Sequence, residues 1–155
     1  MTLTRANVEA IIVQRVGAYM TAAGMVVTIA GSNANLNDPI GYAVRMCDGT
    51  VVNYTSVSDT DVATVSSADY DKLLDIAELR TLDSVVSNLD DVDIMVGPRS
   101  ERLSQLALNA NAILDRKAVR IEKLYGIGSP LVGTGAVVLD FADHNETIAG
   151  VSDDI

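Results

Sequence analysis

The residues that could do chemistry are few, and most lack partners at a useful spacing. His144 is the single imidazole, flanked by Asp143 and Asn145 in a polar segment. Ser–His–Asp and Cys–His catalysis need an imidazole packed against a nucleophile and oriented by a third group. A histidine in a polar tail reads instead as a solvated side chain. Cys47 is the single cysteine, so an internal disulfide is excluded and one Cys with one His cannot build a structural zinc site. That pattern suits synthesis in a reducing cytoplasm. The acidic clusters Asp59-Thr60-Asp61 and Asp90-Asp91-Val92-Asp93 do not continue into a calcium loop and read as caps and turns. Gly133-Thr134-Gly135 precedes a strand-like stretch rather than a helix, and no phosphate-loop pattern occurs. The expectation is a protein that is not an enzyme, with no catalytic residue, metal or cofactor.

Charge placement says more. Twenty-one acidic and 11 basic residues give a formal net charge of −10, which opposes general attraction to DNA phosphates. Six basic residues, Arg99, Arg102, Arg116, Lys117, Arg120 and Lys123, fall on one expected helix, four of them in its last ten residues. The acidic stretch 58–93, with ten carboxylates that include Asp69, Asp71, Asp75 and Glu78, could meet them across a subunit boundary. Opposite charges on two faces of one protein favour head-to-tail association. The plainer reading is a solvated helix face whose cations complement the helix C-terminus.

The elements that would position these charges are mainly helical. Thr4 is a suitable N-cap, and Val8, Ile11, Ile12, Val16, Tyr19 and Met20 recur at three- and four-residue spacing until Gly24. Polar positions within this helix do not fit a signal peptide, and no apolar run is long enough for a membrane span. Residues 25–37 read as a loop with a short extended piece at 26–29. Asp38-Pro39 signals a helix start with Pro39 in first position. Residues 51–57 leave strand and connection open, and Ser58 or Asp59 caps a short helix.

Two long helices follow. Ser66 or Ser67 starts the first, whose apolar positions Leu73, Ile76, Ala77, Leu79, Leu82, Val85, Val86 and Leu89 carry it to about residue 89. Pro98 starts the second, which runs roughly 40 Å to Tyr125 before Gly126. Its seam is Leu103, Leu106, Ala107, Ala110, Ile113, Leu114, Ala118, Ile121 and Leu124. An antiparallel hairpin through a turn at 90–97 is expected. After Gly126 the composition changes to Gly126, Gly128, Pro130, Gly133 and Gly135, then Ala136–Ala142 as a strand, then an acidic tail. The organisation is a helical body, 1–125, and a flexible C-terminal arm, 126–155. A lone strand needs hydrogen-bonding partners, and another chain is the natural source. Val137, Val138, Leu139 and Phe141 are therefore the candidate interface residues.

The stretches LTRANVEAIIVQRVGAYM, LNDPIGYAVR and LLDIAELRTLDSVVSNLDDVDIMVGPRSERLSQLA resemble the helical head–tail adaptor, or head-completion, proteins of long-tailed bacteriophages. The resemblance covers roughly Leu3–Ile127. It implies a homo-oligomeric ring of about twelve copies under the portal protein, joined on its other side to the next neck or tail-completion protein. DNA would pass through the ring without specific binding. The protein would be made in the host cytoplasm and reside in the virion neck, with no membrane contact. Two other classes are compatible with the residues: a small DNA-packaging subunit, which should show a basic recognition helix, and a capsid-associated decoration protein.

Overall fold

The computed structural model describes residues 3–93 and 100–127, with the side chains of 90–104 outside the description. It is mainly helical, a bundle of five α-helices, and no strand occurs among the described residues. Helix α1 spans Arg5–Ala22. Thr4, in an extended conformation, accepts from the Asn7 N–H and so satisfies one orphan donor of the first turn. Val8, Ile12, Val16 and Met20 form its buried stripe. The helix ends where Gly24 takes a φ of +70°, a conformation that costs a residue without Cβ little.

A segment without helix or strand, 25–33, leads to a 3-10 turn at Ala34–Leu36 that runs directly into α2, Asn37–Met46. Pro39 is therefore the third residue of α2, not its first. The start moved upstream because Asn33 caps the 3-10 turn through the Asn35 N–H, and the first-turn N–H that proline lacks has no helical acceptor in any case. Residues 51–57 form a connection without strand pairing. Helix α3, Asp59–Ala63, has Ser58 as its cap, and Asp61 completes a capping box.

Ser66 caps a second 3-10 turn, Ser67–Asp69, which leads into α4, Tyr70–Asp93. This helix outlasts the expected end near residue 89, since Asp90, Asp91, Val92 and Asp93 remain helical. Helix α5 spans Ser100–Tyr125, and Gly126 follows with a φ of +63°. The first half of the turn expected at 90–97 is thus helix; its second half, the expected start at Pro98 and the side chain of Leu103 lie outside the described residues.

The core is centred on α4, against which α1, α2 and α5 all pack. Leu73, Ile76, Ala77, Leu79, Leu82, Val85 and Leu89 are buried along it. From α5 come Ala110, Leu114 and Ile121, with Leu106, Ala107, Ile113 and Ala118 half-buried. Leu124 is 57% exposed and does not belong to this seam. The hairpin is antiparallel, since Tyr125 reaches Asp75 while Lys117 reaches Glu78. The expected strand at 136–142 and the arm as a whole lie outside the described residues.

Candidate functional site

The basic end of α5 lies beside the first turns of α4, and one side of it is neutralised within the chain. Lys117 Nζ stands 2.7 Å from Glu78 Oε1, while Arg15 of α1 reaches Glu78 Oε2 at 3.0 Å and Asp75 Oδ1 at 3.6 Å. The Tyr125 hydroxyl donates to Asp75 Oδ2 at 3.0 Å. Burial, and then the Asp75 carboxylate beside it, push the Tyr125 phenol up to about 12. Glu78 is buried, so two cations on one carboxylate compensate a desolvation that a single exposed partner would not.

The remaining charged candidates face outward. Arg116 is exposed and donates to the Ala112 carbonyl of its own helix. Arg120 and Lys123 are exposed and form no ion pair with a described residue. Asp69 sits in the 3-10 turn and Asp71 in the first turn of α4, where a carboxylate meets the positive helix end. Thus Lys117, Asp75 and Glu78 have partners inside the chain. Arg116, Arg120, Lys123 and Asp71 present their charge to solvent. The arm candidates Val137, Val138, Leu139 and Phe141, and also His144, lie outside the described residues.

A second polar centre lies within α1, at positions that sequence alone did not mark as a site. Arg5 and Glu9 are both buried, on the same stripe as Ile12 and Val16. Arg5 Nε donates to Glu9 Oε1 at 2.9 Å, and its two terminal nitrogens donate to the Val57 and Asn33 carbonyls. Glu9 also accepts from the Gly31 N–H at 2.7 Å and the Asn33 N–H at 2.9 Å. Asn33 Nδ2 then donates to the Val26 and Thr28 carbonyls. One ion pair thereby fastens the 25–33 segment and the 50–58 connection to α1. The usable signal was the spacing 5, 9, 12, 16, which places both charges on the apolar stripe.

Asp61 is a smaller device of the same kind. Burial pushes its carboxyl up, but N–H and O–H donation from Ser58 and N–H donation from Val52 outweigh this and hold it below the usual carboxylate range. Cys47 is buried, and desolvation pushes its thiol up to about 11, far from the thiolate a nucleophile needs.

Among the described residues no group of His, Cys, Asp and Glu side chains is arranged to hold a metal ion. A cavity of about 10 Å³ between Asp75, Lys117, Arg120 and Ile121 has room for at most a water. No described helix is long and apolar enough to cross a membrane. What this part of the molecule offers a partner is surface. Leu108 and Val119 are 62% and 49% exposed on the outward side of α5, which packs chiefly on α4. Val26, Ile29, Val52 and Tyr54 are exposed on the two clamped connections. Comparison with known protein families, with curated proteins and with solved structures finds no match to this chain.

Proposed function

We propose that the chain is a structural subunit of a tailed-phage virion: a head–tail adaptor that assembles as a ring beneath the portal and extends the DNA channel towards the tail. The observation that supports this best is the outward side of α5. It carries two exposed apolar side chains and, near its C-terminal end, three cations without a carboxylate partner among the described residues. Such a surface suits a repeated contact between copies, with Arg116, Arg120 and Lys123 on one subunit facing Asp69 and Asp71 on the next. Lys117, Asp75 and Glu78 contribute differently, by fixing α5 and α1 against α4 so that the contact surface is rigid. In this reading Val137, Val138, Leu139 and Phe141 of the arm anchor the ring on the portal.

The test is to add purified protein to portal-containing phage heads that lack it and to image the portal vertex. A ring of density below the portal is the expected result. Absence of any density at saturating protein, with decoration of the capsid shell instead, would move the decoration-protein reading into its place.

A further inference from the structure

The connection between α2 and α3 is pinned along its length yet holds apolar side chains out to solvent. The Thr50 N–H donates to Thr64 Oγ1 at 2.9 Å, and the Val52 N–H donates to Asp61 Oδ1 at 3.0 Å. Asn37 of α2 donates to the Thr55 carbonyl through Nδ2 and accepts from the Val57 N–H through Oδ1. Asn53 Oδ1 accepts from both the N–H and the hydroxyl of Thr55, which closes the turn at the tip. Even so, Val52 is 85% exposed, more than any other large apolar side chain among the described residues, and Tyr54 is 54% exposed. A loop already held in one conformation loses little further entropy when a partner docks on it.

Tyr54 folds back towards α2. Its ring centre lies 4.8 Å from the guanidinium carbon of Arg45, and the Tyr42 ring centre lies 5.7 Å from the same carbon. Arg80 also lies over Tyr42, but it has carboxylates beside it at Asp38 and Asp83. Arg45 is exposed and forms no ion pair with a described residue. A carboxylate follows three residues on. Asp48, at a φ of +58°, donates its backbone N–H to the Arg45 carbonyl, yet its exposed side chain forms no ion pair with a described residue either. Residues 49–57 carry no charge. One patch thus presents an unpaired cation, an unpaired anion and a rigid uncharged loop whose Tyr54 ring reaches the cation.

We propose that this patch is a self-association face, on which a second copy of the chain docks about a two-fold axis. In a two-fold contact every pairing occurs twice: if Arg45 of one copy faces Asp48 of the other, Asp48 of the first faces Arg45 of the second. A patch with one unpaired charge of each sign is therefore complementary to itself, and Val52 and Tyr54 of both copies fill the space between the two ion pairs. Tyrosine and arginine are the side chains that most often dominate such contacts. A guanidinium flanked by rings keeps its edge N–H groups available for a planar carboxylate. The net charge of −10 opposes association, but that repulsion is largely screened beyond about 8 Å at physiological ionic strength, whereas the two ion pairs form at contact. The inference goes beyond the adaptor reading, since a two-fold contact closes on a pair and uses a surface other than the outward side of α5.

Sedimentation velocity of the full chain over a dilution series tests it without any phage component. The wild type should show a reversible monomer–dimer equilibrium. Arg45→Glu and Asp48→Lys should each raise the dimer dissociation constant by about tenfold or more, because each homodimer then sets like charges against each other. Both positions are exposed, and unchanged circular dichroism should show that both variants remain folded. An equimolar mixture of the two variants should dimerise again, since the exchanged charges complement each other. A wild type that stays monomeric, single variants that associate as well as the wild type, or a mixture that fails to dimerise would each overturn the proposal. Loss of the dimer in Arg116→Glu with Arg120→Glu would also overturn it, by assigning the association to α5.

Discussion

At the scale of single residues the decisive group is Glu9. Its two oxygens accept from a guanidinium and two backbone N–H groups in a site with no exposure. Glu9→Ala would leave Arg5 buried without its counter-charge and free the Gly31–Asn33 end of the 25–33 segment. Breaking a buried pair from one side costs about 3–5 kcal/mol, so a large fall in the urea midpoint is expected. A shift corresponding to less than about 1 kcal/mol would show that water replaces the carboxylate easily. Asp61 makes a pH-dependent contribution. Its folded-state pKa is lowered, so above the ordinary value near 3.9 the ionised carboxylate stabilises the fold fully. That stability is lost as pH falls from there through the folded value, because the unfolded chain binds the proton first. Asp61→Asn should accordingly flatten the acid limb of a stability–pH curve; an unchanged slope would remove Asp61 from the titration. These residues were the least legible part of the sequence. Arg5 and Glu9, four apart, read equally well as a surface ion pair, and only the later fold of 25–33 over them makes them interior.

Among elements, the sequence was read most successfully where local rules act alone. Thr4 and Ser58 cap as their types require, Gly24 and Gly126 take positive φ, and the apolar spacing of α1 and α4 marks the buried stripes. Pro39 misled because a 3-10 turn upstream supplied the helix start. The end of α4 misled because three aspartates read as a turn although they continue the helix around Val92. Leu124 misled in a third way, since periodicity continues to the last turn of α5 while the partner surface on α4 does not. These differences give a paired expectation. Leu114, 7% exposed, packs in the main core; truncation of such a side chain costs about 2–5 kcal/mol. Leu124→Ala removes as many atoms from a site that is 57% exposed and should shift stability by less than about 0.5 kcal/mol. Thermal unfolding of both variants compares them directly. Similar losses would mean that α5 is rotated on α4 relative to the structure.

For the whole molecule the deciding quantity is where the charge sits. Residues 128–155 carry five acidic and no basic side chains, half of the formal net charge of −10. The helical body is thus also negative, and among the described residues Arg116, Arg120 and Lys123 gather three exposed cations at the end of α5, while the exposed Arg45 of α2 stands alone over Tyr42 and Tyr54. A DNA-packaging subunit would need that same end to act as a recognition helix, with each phosphate contact adding to a steep salt dependence. Yet Asp115 and Glu122 are exposed among Arg116, Arg120 and Lys123, and Lys117 is engaged by Glu78. A helix so interleaved offers a phosphate backbone as much repulsion as attraction, whereas it can match a protein surface of mixed sign. Duplex DNA titrated into the protein at physiological salt should therefore bind no more tightly than the weak, sequence-independent range of about 10⁻⁴ M or above. Fluorescence anisotropy measures this directly. Sub-micromolar binding, weakened by several powers of ten between low and moderate salt and lost in Arg116→Glu with Arg120→Glu, would displace the adaptor reading in favour of DNA packaging. Weak binding unchanged by those substitutions would leave the end of α5 as a surface for protein contacts.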